Sequence, residues 1–222
     1  MIGINFSPFL ELPGSKILLA SKSIIRQNIL RAAGINFDVV SVTVDEAQVR
    51  ADAISDAMVA DDIAVFLAFL KAQAASQIVA NSNLTTDTSY IIGCDQILLL
   101  DDQIMAKPEN KAAAKGQLLQ LSGRKHELLS AVVLVYDGRR IWHHLARASL
   151  TMRRFDDAFA TAYIRHIDKA ALWSPGAYQI ESVGAALFSE IKGNYFDILG
   201  LPLFPLMNIL NEHGLRPIES AQ

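Results

Sequence analysis

The chain has 222 residues, enough for one large domain or two small lobes, and 51% of them are hydrophobic against 19% charged. Such a composition buries a sizeable core and excludes disorder as the main state. Twenty Lys and Arg against 23 Asp and Glu leave a net charge of −3, without the basic excess that a sequence-independent grip on duplex DNA requires. The single cysteine, Cys94, excludes a disulfide framework and a multi-cysteine zinc site.

The opening residues carry no basic run before their apolar stretch, and Glu11, Pro13 and Gly14 interrupt it, unlike a signal peptide. The apolar runs, such as Ile63–Leu70, fall short of the roughly 20 residues of a membrane span. A cytoplasmic protein is expected, with no membrane partner. Residues 1–15 read as a poorly structured N-terminal extension, and residues 16–222 as a single domain, since no linker stands out.

From there, Lys16–Ala20 reads as a strand and IIRQNILRAAG as a helix with Gly34 at its C-terminal cap. Phe37–Val44 alternates in part and predicts a second strand, ending at Asp45–Glu46. Residues 63–79 have helical spacing. SYIIGCDQILLLDDQ predicts a buried strand with a turn at 101–103, and Lys107–Pro108 opens a helix over 109–121. Segments 128–137 and 140–152 form a hairpin about Asp137–Gly138, followed by helices over 156–167 and about 203–212. Strands alternating with helices, plus one antiparallel hairpin, predict an α/β fold with a mixed sheet.

Four groups of residues carry candidate chemistry. Ser21-Lys22-Ser23 and Arg26 lie between a strand and a helix, where hydroxyls, free amides and the helix dipole favour an anion; the plain alternative is that Ser23 only caps the helix. Asp95 sits in an apolar strand, either as a buried carboxylate able to hold a metal or accept a proton, or as an exposed residue of an edge strand. Lys71 and Lys107 are phosphate partners or solvated surface lysines. Asp45–Glu46 binds a metal or solvates a loop. The five histidines lack metal-ligand spacing, His126 reads as a cap near a helix-to-strand turn, and Cys94 as a small buried hydrophobe.

Taken in order, ILLASKSIIRQNILRAAGINFDVV, VDE, LAFLKA, IIGCDQILLLDDQIMAKP, LSGRKHELLSAVVL and GAYQIESVGAALFSEIKGNYFDILGLPL resemble the Maf family from about residue 16 to 212. The resemblance implies a bent mixed sheet flanked by helices, two lobes around a deep nucleotide cleft, and a homodimer. It implies a nucleoside triphosphate pyrophosphatase that uses a divalent metal, Mg or Mn, to release pyrophosphate. The implied role is house-cleaning of the nucleotide pool, with a link to septum formation and cell-division arrest.

Residue by residue, it assigns Ser21 and Arg26 to a phosphate-binding turn, Lys71 and Lys107 to phosphate, Glu46 to the metal, and Asp95 to the base or metal-linked carboxylate. Three specificity positions are Ile25, Gln96 and Glu181. Gln96 and Glu181 match the 7-methyl-GTP type, whereas Ile25 replaces its aromatic residue. The family's Ser-Pro-Arg-Arg is Ser23-Ile24-Ile25-Arg26 here, and the usual Arg and Glu around LAxxKA are Phe66 and Leu70. A catalytically silent nucleotide-binding regulator, acting through a protein partner, is the alternative expectation.

Overall fold

Strand formation follows the apolar runs closely. In a computed structural model describing residues 7–81, 88–172 and 174–218, Ser15–Ala20 forms β2, with Ile17 to Ala20 buried. Before it, β1 (Leu10–Glu11) pairs antiparallel with β9 (Arg216–Pro217). The amides of Phe9 and Leu10 both donate to the Gly34 carbonyl, at 2.7 and 2.8 Å. The described part of the segment read as a poorly structured extension is therefore tied down by backbone hydrogen bonds.

Helix α1 (Ile24–Ala32) starts at Ser23, whose side chain accepts from the Arg26 amide. It ends in a Schellman turn: Gly34, at φ +74°, donates to Arg31 O and Ile35 to Leu30 O. The expected strand over 37–44 shrinks to β3 (Asp38–Val39), both residues exposed. With only β2 beside it and little apolar surface to bury, this edge segment stops pairing after two residues. Helices α2 (Glu46–Ser55) and α3 (Ala60–Asn81) follow.

The remaining strands are β4 (Thr88–Leu100), β5 (Gln103–Met105), β6 (Lys125–Tyr136), β7 (Arg139–Met152) and β8 (Phe188–Lys192). They join a seven-stranded sheet in the order β3-β2-β4-β6-β7-β8, with β5 on β4. β2 is parallel to both β3 and β4, whereas β4–β5 and β7–β8 are antiparallel. The architecture is thus α/β with a mixed sheet. Positive φ at Asp137 and Gly138 makes the β6–β7 turn expected of an Asp-Gly pair. Helices α4 (Lys111–Leu121), α5 (Asp157–His166), α6 (Lys169–Leu172), α7 (Tyr195–Ile198) and α8 (Leu203–Glu212) complete the fold.

The chain divides into two compact units, one of residues 1–95, 131–145 and 200–222, the other of 96–130 and 146–199. The first buries β2, α3 and the start of β4, including Leu19, Ile63, Leu67 and Ile92. Helix α3 has 22 residues and contains an 18-residue window with a mean hydropathy of 1.6, so it is long and apolar enough to cross a membrane, more than the separate apolar runs suggest. Here it is a core helix of the first unit, packed on β2 and α2. The second unit has its own core, built from Leu98, Leu118, Leu121, Leu150, Tyr178 and Leu187.

Candidate active site

The first unit gathers five of the singled-out residues at the carboxyl end of β2. Because β2 runs parallel to β4 with Ala20 opposite Gly93, the residues that follow each strand position, Ser21 and Cys94–Asp95, are neighbours. In parallel α/β sheets such strand ends are where ligands bind. Ser21 is buried, and its hydroxyl accepts from the Ser23 amide at 3.2 Å and from Arg26 Nη1 at 3.4 Å.

Arg26 folds back from the first turn of α1. Its Nε donates to Gly200 O at 2.8 Å and its Nη1 to Cys94 O at 3.1 Å. These bonds fix the plane of the guanidinium beside the Asp95 backbone. Ser23 is the helix cap, as the plain alternative had it.

Gly93 sets the spacing on the other side. A Cβ there would lie 2.1 Å from the carbonyl oxygen of Ala68 and 2.9 Å from the Cβ of Ala72. Only glycine lets α3 press this closely on β4. One turn along α3 from Ala68, and two residues along the same face of β4 from Gly93, Lys71 meets Asp95. Lys71 Nζ lies 2.6 Å from Asp95 Oδ1 and 2.7 Å from Glu46 Oε1.

The Lys71 side chain is only 12% exposed and that of Asp95 only 5%. Asp95 therefore occupies the interior of a central strand, which removes the exposed-edge alternative, and Lys71 is not a solvated surface lysine. Asp45 caps α2, accepting from the Gln48 amide at 3.0 Å, and so delivers Glu46 at the first helical position. Cys94 is fully buried, and burial pushes its thiol up to about 11; it is an inert hydrophobe.

Two carboxylates share one ammonium, and the second oxygen of Asp95, Oδ2, is buried without a hydrogen-bond partner. An unpaired buried carboxylate oxygen next to a second carboxylate is the donor set that a hard divalent cation takes. Among the described residues no group of three or more His, Cys, Asp or Glu surrounds a common point. Protein ligation would thus rest on Glu46 and Asp95, with substrate and water oxygens completing the shell, as magnesium commonly binds.

Ile25 is half-buried on α1 of the first unit. Gln96, Lys107 and Glu181 belong to the second unit. Gln96 Nε2 donates to Ser130 Oγ (2.8 Å), Ile198 O (2.9 Å) and Asp197 O (3.3 Å). Its amide nitrogen is thereby spent on holding the α7 region, and only Oε1 remains to read a ligand. Ser130, buried on β6, also donates to Asp197 O at 2.6 Å.

Lys107 is exposed between β5 and α4. Glu181 lies exposed on a tight turn, where Gly184 could carry no side chain because a Cβ would come within 2.4 Å of Gln179 O. Partial desolvation, with Asp168 nearby, raises its carboxyl above the usual range.

His126 is not a cap. It is buried on β6 with Nε2 2.8 Å from the Tyr178 hydroxyl, and burial pushes its imidazole down to about 4. Ser130, the packing role of Gly93 and the carbonyls of Cys94 and Gly200 are not readable as site features in sequence. Of these only Gly93 carries a signal, as a glycine inside an apolar strand.

Residues 16–213 match the family model described as Maf-like protein, and the chain belongs to the Maf family. It is 43% identical over 192 residues to the 7-methyl-GTP pyrophosphatase of Brucella abortus biovar 1 (strain 9-941), a match covering 86% of this chain and 93% of that protein. It is 41% identical over 199 residues to the nucleoside triphosphate pyrophosphatase of Rhodospirillum rubrum, covering 90% and 95% of the two chains. The nucleoside triphosphate pyrophosphatase of Caulobacter vibrioides is also 41% identical, over 198 residues, with 89% and 96% covered.

Proposed function

We propose that this chain is a nucleoside triphosphate pyrophosphatase, a hydrolase of phosphoric anhydride bonds, and that Asp95 is its catalytic carboxylate. Similarity to enzymes of that name over 86% and 90% of the chain supports the reaction class. The observation that carries the site assignment is the buried Asp95, with one oxygen on Lys71 and the other unpartnered, beside an arginine already fixed in place.

The chemistry follows from charge. A triphosphate brings roughly four negative charges, which Arg26, Lys71 and, from the second unit, Lys107 offset in part. Arg26 and Ser21 hold phosphate oxygens at the strand end, the guanidinium by its remaining amino group. Glu46 and Asp95 Oδ2 would hold a divalent cation, which when bound offsets the rest of that charge and polarises the α-phosphate.

Asp95 accepts a proton from the attacking water, whose oxygen bonds to the α-phosphorus. The bond from the α-phosphorus to the bridging oxygen breaks, and pyrophosphate leaves. Lys71, 2.6 Å from Oδ1, aims the Asp95 carboxylate. Glu181 and Gln96 Oε1 discriminate among bases, a carboxylate at 181 favouring a ring with guanine-type N–H donors or the positive charge of an N7-methylated base.

The same proposal makes residues 16–222 one catalytic domain preceded by an extension. It places the enzyme in the cytoplasm as a homodimer that clears unwanted nucleotides, with the family's link to septum formation as its cellular setting.

The test is pyrophosphate release from UTP, CTP, dTTP, GTP and 7-methyl-GTP with Mg or Mn. Wild type is expected to turn over at least one nucleotide, and Asp95→Asn to lose at least about 100-fold in rate at unchanged fold. Glu181→Gln is expected to lower the ratio of 7-methyl-GTP to UTP turnover. Nucleotide binding by wild type without release would replace the enzyme by the silent regulator.

A further inference from the structure

We propose that the second unit carries an accessory site for a small organic phosphate of nucleoside monophosphate size, in the cavity where Arg124, Arg153 and Arg154 meet Phe155 and Phe159. The cavity has a volume of about 640 Å³, within the range of small-molecule sites and too large for a bare phosphate. Its lining carries three guanidinium groups against one acid, Asp156. In a chain of net charge −3, that is a local reversal of sign, and it concentrates anions.

The acid has a structural task, since Asp156 caps α5 by accepting from the Phe159 amide at 2.9 Å. The arginines are graded in readiness. Arg153 is fixed: its Nε donates to Ala186 O at 2.6 Å and its guanidinium lies 4.3 Å over the Phe159 ring, leaving both terminal amino groups to present as a fork. Arg124 is paired with the exposed Asp101, an interaction weak enough in water to be exchanged for a better anion.

Arg154 runs over Gly123, where a Cβ would stand only 2.6 Å from its Cγ, and among the described residues its guanidinium has no acceptor or acid. Planar guanidinium forks match phosphate oxygens two at a time. The Phe155 ring, half-buried at the cavity wall and 5.2 Å from Phe159, offers an aromatic surface for a base. Phosphate charge and a flat ring are therefore recognised side by side. None of these groups takes part in the proposed hydrolysis.

Isothermal titration of the whole protein with UMP and GMP, inorganic phosphate and a short single-stranded RNA tests this. Expected is monophosphate binding at least tenfold tighter than inorganic phosphate. Arg154→Gln should weaken it tenfold or more and Arg154→Lys less, with the far-UV dichroism of both unchanged. Turnover of a saturating triphosphate by Arg154→Gln should match wild type, and Lys71→Met should retain the monophosphate site. The proposal is overturned by monophosphate binding that survives Arg154→Gln but not Lys71→Met, by affinity no better than for inorganic phosphate, or by tighter binding of the RNA.

Discussion

Lys71 stands between Asp95 and Glu46 at hydrogen-bonding distance from both, so its removal acts twice. Replacing it with methionine leaves a 95%-buried carboxylate without a counter-charge, at a cost of about 3 kcal/mol in stability. It also removes a phosphate partner, so Lys71→Met is expected to lose pyrophosphate release by at least about 100-fold. Urea unfolding separates the two effects, because Lys71→Met combined with Asp95→Asn should recover much of the stability and none of the rate. A variant that keeps wild-type turnover would remove Lys71 from the chemistry.

Asp95 was legible because a carboxylate in the run IIGCDQILLL is costly without a partner. Its partner was less so: Lys71 stands out as the one charge among the apolar residues of 63–79, but nothing local says that it faces Asp95. The clamp made by Gln96 was not legible at all. Its acceptors, Ser130 and the carbonyls of 197 and 198, are some 34 to 102 residues away.

At the scale of elements, the approach of α3 to β4 governs the site. Gly93→Ala must move either the Ala68 carbonyl or the strand, because the new Cβ would sit 2.1 Å from that oxygen. Overpacking of this kind costs about 3 kcal/mol, which for a chain of this size lowers Tm by roughly 10 °C. Scanning calorimetry checks it, and a fall of less than about 2 °C would mean that the helix yields easily.

Long elements were readable from their punctuation, as with α8 over 203–212 after the Gly-Leu-Pro turn and the hairpin about Asp137–Gly138. The strand expected over 37–44 was overread. Alternation there carries little burial, and of these residues only Val42 reaches the core. Alternation marks a strand only when a neighbouring element covers one face.

The whole chain feels pH through His126. Burial holds its imidazole near 4 in the folded protein, against about 6.5 in the unfolded chain. Above pH 6.5 both states are neutral at this position, and it costs nothing. As pH falls from 6.5 toward 4 the unfolded chain takes up a proton that the folded chain refuses. Stability then declines by about 1.4 kcal/mol per pH unit, on the order of 3 kcal/mol in all. His126→Gln, which still offers an acceptor to Tyr178, is expected to flatten that part of the curve in denaturant melts at pH 7, 6, 5 and 4.5. An unchanged slope would place the acid sensitivity elsewhere. The basic neighbours in SGRKH disguised this residue, since they suggest a solvated turn and the burial comes from Tyr178 and Phe188 packed on it.

Gly93 has an effect on how the family can vary. The gap between α3 and β4 is set there by main-chain atoms, a hydrogen standing where any other residue has carbon. Side chains that do not enter this gap can therefore be exchanged while the lysine-to-aspartate distance stays the same, whereas Ala72 and Val133, which crowd it, cannot be enlarged. A library randomised around the site but sparing this glycine samples new substrates on an unaltered ruler. One that includes it samples mostly broken rulers, and laboratory selection for altered base preference is best begun with that position held.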